Sequence, residues 1–432
     1  MNNFGVNLAY RSSALAPKSN PTRRGFVSRI VTYSFVVAIG SGAAYYYYSK
    51  AGPRPGYMIL FVGLWFAGSV LFTARGRAVF GSLLKADILL WFMLVAMPIV
   101  FMVFESRSFT LGTWTNSLAN VVILFVGAIL GLRRDLRGSV ALAVLSVIAV
   151  GVALNLFELL VHNNAWSVAP GRSAGWYMNP NDSSATLALF GILYFAFHQD
   201  RYRWNEVLVL SLIFAGILAT FSRGGFLLFF LCVFACAMSR QGVRVSWSTV
   251  RSAIGIVLGL ALIAWLAFSV VLPQLSLTED AAMRLESIEG RAFVKDYDTD
   301  RAPASAYAWA MFRGSPMTGV GVLTSLEIVQ GPHNMMAALG MDMGITALFL
   351  YVWLILRMTW LGVFSLRGST AVSGEWLVAP WMLAYGFSSH NVIYEPAIVL
   401  GLGIAVSSFF GMRMQRRLRT RGRRALRAPC FR

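Results

Sequence analysis

Twelve apolar runs follow one another along this chain, and no other feature of the sequence constrains the fold so strongly. They lie at roughly 30–48, 56–74, 86–104, 116–132, 138–160, 183–198, 206–221, 224–238, 252–272, 334–356, 376–390 and 394–412. A bilayer offers the backbone no hydrogen-bond partners, so apolar runs of this length predict membrane-crossing helices. Charged residues make up 13% of the chain, against about 25% in soluble domains. The sequence therefore predicts an all-α polytopic membrane protein with about 12 transmembrane helices.

The basic residues predict the orientation of these helices. With a cytoplasmic N-terminus, 27 of the 37 Lys and Arg fall on the inner side, and 13 of the 18 acidic residues fall on the outer side. Cytoplasmic segments of membrane proteins are enriched in Lys and Arg. We therefore expect both termini inside the cell, and the net charge of +19 to face anionic inner-leaflet lipids. Because the basic residues form no single folded domain, nucleic-acid binding is not predicted.

The same pattern predicts the organisation of the chain. A cytoplasmic segment, 1–29, precedes helices 1 to 9 in 30–272; a long periplasmic loop, 273–333, precedes helices 10 to 12 in 334–412; and an Arg-rich cytoplasmic tail, 413–432, follows. The loop is the one outer segment long enough to have structure of its own. Its spacing of apolar residues predicts helices over 284–292 and 302–312.

An alternating carboxylate triplet in this loop, Asp296, Asp298 and Asp300, raises the question of a metal. A calcium loop requires Gly at the sixth position and Glu at the twelfth, where this chain has Arg301 and Tyr307. That interpretation is excluded, whereas a looser magnesium or manganese site and a solvated acidic turn both remain open. We assign no metal ligands and no cofactor.

Four polar turns are expected at the outer membrane surface. They are Asn179-Pro-Asn181-Asp182, Ser222-Arg223-Gly-Gly225, His333-Asn334 and His390-Asn391. Ionisable groups within membrane segments are costly, and they commonly mark functional sites. We therefore expect any active site on this face.

Arg223 and His333 are the sharpest candidates. Arg223 lies beside two glycines between apolar runs, where its guanidinium suits phosphate oxygens; an arginine that extends to the membrane interface is the alternative. His333 opens a helix, whose dipole favours a neutral imidazole able to accept a proton; a capping or packing role is the alternative. Asp342 follows nine residues later, about half a turn away on the helix, and is not predicted to be its partner.

Other candidates rank lower. His390 lies in an outer turn, His162 is weaker, and His198 lies near the inner side. Cys232 and Cys236 lie one helical turn apart within an apolar run, which predicts packing rather than metal binding.

These motifs, in this order, resemble the O-antigen ligase family. The resemblance rests on Asn-Pro-Asn at 179–181, Ser-Arg-Gly-Gly at 222–225, Ser-Pro-Met-Thr-Gly-Val-Gly at 315–321, and Gly-Pro-His-Asn at 331–334 followed by Asp342 and Gly344. It implies a GT-C-like membrane glycosyltransferase of the bacterial inner membrane. The implied donor is an undecaprenyl-diphosphate-linked glycan, the implied acceptor is the lipid A core oligosaccharide, and no metal is required.

The resemblance also implies roles for individual residues. His333 would be the general base of an inverting displacement, and Arg223, Arg291 and Arg301 would bind the diphosphate. Supporting positions would be Asn179, Asn181, Ser222, Asn334 and His390.

Three alternatives remain open from the sequence. An O-antigen or exopolysaccharide polymerase would use the same donor, with a growing glycan as acceptor. A protein O-oligosaccharyltransferase shares the family signature but usually carries a larger outer domain. A small-anion transporter would instead place its site near the midplane, on broken helices.

Overall fold

The structure of the chain is a computed structural model. It describes residues 23–51, 54–71, 86–105, 108–162, 165–169, 171–198, 203–241, 301–328, 331–366 and 377–408, with isolated positions between 79 and 83 and between 251 and 259. Every element of regular structure in these ranges is helical. The α-helices are α1 (Arg23–Gly40), α2 (Ala43–Ala51), α3 (Arg54–Leu71), α4 (Ala86–Phe104), α5 (Leu111–Leu132), α6 (Arg137–Phe157), α7 (Pro180–Phe197), α8 (Arg203–Ala219), α9 (Arg223–Gln241), α10 (Arg301–Gly314), α11 (Thr324–Glu327), α12 (Met335–Leu366), α13 (Val378–Gly386) and α14 (Pro396–Ser408).

The apolar runs predicted most of these helices. Eleven of the twelve coincide with a described helix, and the ninth, 252–272, lies outside the described residues apart from isolated positions near its start. Three helices in the described part are long and apolar enough to cross a bilayer, namely Leu111–Leu132, Arg137–Val161 and Met335–Leu361. Shorter apolar helices accompany them, as expected for a multi-pass membrane protein. That all twelve runs cross the bilayer stays a prediction.

Two helix boundaries differ from the expectation. The run at 30–48 is two helices, because the chain turns at Gly42, where φ is +78°. The helix α10 matches the segment predicted at 302–312, whereas 284–292 lies outside the described residues.

Helix α7 is the centre of the bundle. It is buried along nearly its whole length, and α6, α8, α9 and α13 pack around it. On α9, Cys232 and Cys236 are fully buried in this core, and the Cys232 thiol donates to the carbonyl oxygen of Ala188 on α7 at 3.0 Å. The predicted packing role of the two cysteines is thus confirmed.

Helix α12 is interrupted near its N-terminus. Gly344 has φ +72° and ψ −163°, a conformation essentially confined to glycine. The preceding loop fills the interruption: the Ile345 amide donates to the Pro316 carbonyl at 2.8 Å, and the Val320 amide donates to the Met341 carbonyl at 2.7 Å. Residues 335–343 are therefore a short helical segment of their own, held by the 315–321 loop.

Candidate active site

The Asn-Pro-Asn-Asp motif opens α7. Met178 precedes it with φ +62°, and Asn179 caps the helix by accepting a hydrogen bond from the Asn181 amide at 2.9 Å. Pro180 occupies the first helical turn, where its missing N–H costs nothing. The motif thus fixes the direction in which the next two side chains, Asn181 and Asp182, leave the helix.

Asn181 joins two cationic segments. Its Oδ1 accepts hydrogen bonds from Arg172 Nη2 and from the Ser222 hydroxyl, both at 2.9 Å. Arg172 is 8% exposed and also donates through Nε to the Thr220 carbonyl at 3.0 Å. We call Arg172, Ser222 and Arg223 the cation half of the site.

Ser222 positions Arg223 at the start of α9. The Ser222 hydroxyl oxygen accepts from the Gly225 amide at 3.1 Å, as a helix N-cap does, and Phe221 before it has φ +47°. Arg223 is the first residue of α9, and its side chain is exposed. A guanidinium at a helix N-terminus combines two features that attract anions.

Glu158 holds the segment that carries Arg172. Its two carboxylate oxygens accept four backbone hydrogen bonds at 2.6 to 2.8 Å, from the amides of Trp166, Ser167, Ala174 and Gly175. Such bonds stabilise a buried carboxylate. Sequence reasoning missed this anchor because its donors are backbone groups.

Asp182 binds the last turn of α13 and the loop between α13 and α14. Its carboxylate accepts from the hydroxyls of Tyr385 and Ser389, and from Asn391 Nδ2 at 2.9 Å. The residues 387–395 form what we call the His390 loop. Ser388 of this loop lies against Gly224 of α9, so the loop packs on the helical turn that begins with Arg223.

His390 and His333 meet beside this loop. Their ring centroids are 5.9 Å apart at an interplanar angle of 77°, and we call them the histidine half of the site. Gly331 has φ +61°, and a Cβ there would overlap the His390 ring. His333 itself has φ +44°, and backbone strain of this kind is concentrated at functional sites.

His390 is held in its neutral form. Burial, and to a lesser extent the charge of His333, lower the pKa of His390 to about 4. Its Nδ1 is buried and has no hydrogen-bond partner among the described residues.

Asn334 and Asp342 support the helix that follows His333. Asn334 Oδ1 accepts from the amides of Met336 and Ala337 at 2.9 and 3.2 Å, which caps α12. Asp342 is fully buried and accepts from the amide and hydroxyl of Ser325 at 2.8 and 2.7 Å, and from the Tyr394 hydroxyl at 3.3 Å. Asp342 therefore fastens α11 to the His390 loop.

The structure brings together most of the predicted site residues. Hydrogen bonds link Asn179 to Asn181 and Asn181 to Ser222, the neighbour of Arg223, whereas Asn334 follows His333 and the His390 ring lies beside it. Arg291 and the Asp296 to Asp300 triplet lie outside the described residues, and Arg301 begins α10. Among the described residues, no three His, Cys, Asp or Glu side chains are grouped so as to hold a metal ion.

Sequence reasoning missed Arg172 and Asp182. Arg172 stands alone between Gly171 and Ser173 in an otherwise uncharged stretch, and that isolation was the signal that identified Arg223. Asp182 belongs to a polar turn already singled out, but no role was assigned to it, because its partners lie more than 200 residues away along the chain.

The arrangement places the imidazole of His333 and a cationic helix N-terminus against the same His390 loop. The first can accept a proton from a hydroxyl group, and the second can stabilise an anionic group. Such a pair suits the transfer of a group from an anionic leaving group to a hydroxyl acceptor.

Comparison with known families identifies a segment that contains part of each half of the site. No curated protein matches the chain. Residues 208–352, about a third of the chain, match the family model described as O-antigen ligase. The matched segment includes Ser222, Arg223, His333 and Asn334. Over this segment the chain is similar to the O-antigen ligase family, which supports the resemblance carried by the sequence motifs.

Proposed function

We propose that the protein is an O-antigen ligase that transfers polysaccharide from undecaprenyl diphosphate to a sugar hydroxyl of the lipid A core. One observation carries this proposal. The turn with Arg223 and the turn with His333 belong to the matched family segment, and they contact the same His390 loop through Gly224 and Gly331.

The reaction is a single inverting displacement. The acceptor hydroxyl oxygen forms a bond to the anomeric carbon while the bond from that carbon to the diphosphate oxygen breaks. His333 takes the hydroxyl proton, and the diphosphate leaves with the electron pair. A positioned base typically contributes about 10²–10⁴-fold to such a step.

The diphosphate is bound by Arg223, Arg291 and Arg301. Arg223 is exposed at the first turn of α9, which supports its part in this assignment because the helix dipole adds to its charge. Arg291 and Arg301 belong to the proposed periplasmic loop 273–333, and both lie within the matched family segment. The proposal assigns these residues without a metal.

The proposed topology places this site at the outer face of the bacterial inner membrane. Twelve spans, cytoplasmic termini and a periplasmic active site follow from the distribution of Lys and Arg. A lipid-linked glycan would then present its diphosphate at the height of α9's N-terminus.

A polymerase of O-antigen or exopolysaccharide is the second candidate. It would use the same donor and the same two halves of the site, with a growing glycan in place of the lipid A core. The family match supports the polymerase as the second choice, because activities of the ligase and polymerase types are associated with this family.

The deciding experiment supplies the purified protein with a defined undecaprenyl diphosphate glycan and with purified lipid A core. Glycan joined to the core supports the ligase, and longer glycan chains on the lipid carrier support the polymerase. If neither product forms, both proposals are wrong. Repeating the assay in a strong chelator tests the Asp296 to Asp300 triplet, and we expect the rate to be unchanged.

A further inference from the structure

We propose that the neighbouring residues Asn181 and Asp182 are positioning residues for different halves of the site. Asn181 holds the cation half, and Asp182 holds the histidine half. This inference rests on the proposed function, because it assigns each residue to a separate kinetic step of the transfer.

Asn181 acts through one atom. Its Oδ1 accepts both from Arg172 Nη2 and from the Ser222 hydroxyl, so it fixes the direction of the Ser222 hydroxyl that caps α9. Without this acceptor the Ser222 hydroxyl could turn away from the Gly225 amide. The first turn of α9, and with it Arg223, would then lose its fixed position.

Asp182 points to a different neighbour, since one residue turns an α-helix by about 100°. Its carboxylate accepts from Ser389 and Asn391, which flank His390 on either side. His390 in turn lies beneath Gly331 and beside His333. Asp182 therefore sets the place of His333 through the His390 loop.

Other side chains hold only the far end of this loop. Asn120 Nδ2 donates to the carbonyls of Ile393 and Tyr394 at 3.3 and 3.0 Å, and Asp342 accepts from the Tyr394 hydroxyl. In the described structure, the side-chain hydrogen bonds that join residues 389–391 to another helix run to Asp182. Loss of Asp182 would thus release the part of the loop that carries His390.

The two residues should therefore affect different kinetic constants. Misplacing Arg223 weakens donor binding, which raises the KM for the donor. Misplacing His333 leaves the donor bound and slows proton transfer, which lowers kcat and changes its pH dependence. A general loss of stability would not produce this division.

The first test measures steady-state transfer by the full-length protein with the donor concentration varied. We expect Asn181→Leu to raise the donor KM about tenfold, the cost of a lost hydrogen bond to a charged group, with kcat changed less than about twofold. Asn181→Asp keeps the accepting oxygen and should restore most of the affinity. We expect Asp182→Asn to lower kcat about tenfold, to shift the pH profile of kcat, and to leave the donor KM within about twofold.

A swapped variant and a matched control sharpen the test. Asp182→Asn combined with Asn391→Asp restores a donor and acceptor pair and should recover kcat. Ser183→Ala removes a buried hydroxyl from the same helix, where it pairs with Asn155, and should leave the ratio of kcat to KM within about twofold. If Ser183→Ala matches the other variants, or if Asn181→Leu and Asp182→Asn change the same constant equally, the inference is wrong.

A second measurement does not depend on transfer. The rate at which diethyl pyrocarbonate modifies His333, followed by mass spectrometry across pH, should change in Asp182→Asn and stay at the wild-type value in Asn181→Leu. If this difference appears in a protein that transfers no glycan, the proposed function fails and the positioning role of Asp182 stands. If transfer occurs and the two variants are modified alike, the positioning role fails and the function stands.

Discussion

The two ends of α7 carry the same types of residue and use them differently. At the C-terminal end, His198 stacks on Tyr194 with ring centroids 4.2 Å apart, and its Nδ1 lies 3.0 Å from the Tyr194 carbonyl oxygen. Arg137, the first residue of α6, lies 5.4 Å from the centroid of the Phe197 ring. These two contacts of His198 are therefore local, within one helical turn.

At the N-terminal end the partners come from distant parts of the chain. Asn181 binds Ser222 from α9's first turn, and Asp182 binds Ser389 and Asn391 from the His390 loop. Arg223 opens α9 there as Arg137 opens α6 at the other end. The presence of an Arg and a His does not by itself indicate a functional site. The arrangement is more telling when hydrogen bonds hold separate chain segments together around them.

The strongest test of this comparison replaces one histidine at each end. We expect His333→Ala to reduce glycan transfer to the lipid A core by about 10²–10⁴-fold, because a general base is lost, and His198→Ala to stay within about twofold. Transfer is measured with each variant present in the membrane at the wild-type level. Equal losses in the two variants would show that the ends of α7 do not differ in function.

The two arginines give the next largest effect. We expect Arg223→Ala to raise the donor KM about 10- to 100-fold, since charge-assisted hydrogen bonds contribute about 1.5–3 kcal/mol. Arg137→Ala should leave the donor KM unchanged. Arg223→Lys keeps the charge but loses the planar guanidinium, so its donor KM should lie between those of the wild type and Arg223→Ala. If Arg223→Ala leaves the donor KM unchanged, Arg223 does not bind the diphosphate.

Substitution of one glycine near each end of α7 extends the comparison to the backbone. A Cβ at Gly331 would overlap the His390 ring, whereas a Cβ at Gly138 in the first turn of α6 would enter open space. We expect Gly331→Ala to lower kcat about tenfold, because the strain of about 1–3 kcal/mol moves the histidine half. Gly138→Ala should have no such effect, and kinetic assays of both variants check this.

The last prediction concerns acid stability, where no change in transfer is measured. The pKa of His390 falls from 6.5 to about 4 on folding, so the unfolded chain binds this proton below pH 6.5 while the folded protein does not until about pH 4. Stability is therefore lost as pH falls through this window, by about 2 kcal/mol at pH 5. Thermal unfolding at pH 7 and pH 5 should show a smaller drop for His390→Gln than for the wild type, whereas His198→Gln should behave as the wild type does. Parallel drops in all three would contradict the assignment to His390.

The sequence predicted the helices better than their interruptions. Apolar runs locate most described helices within a few residues, because a membrane segment must be continuously apolar. Gly42 and Gly344 break the helices without changing that pattern, since glycine is common in membrane helices.

The sequence predicted only those site residues that are polar or charged where such residues are scarce. Arg223, His333 and His390 stand out because charged and polar groups are scarce in this chain. The fastening of Asp182 to the His390 loop joins segments more than 200 residues apart, which no local spacing encodes. Packing of α7 against α9 and α13 creates it.

The interrupted helix α12 has a consequence for exchanging parts between relatives. The amide of Ile345 and the carbonyl of Met341 take their partners from Pro316 and Val320. A chimera that replaced the outer loop but kept the host's α12 would separate these partners and leave two backbone groups without their hydrogen bonds. Recombination boundaries should therefore keep 315–321 together with 341–345, so that these two stretches are inherited as one unit.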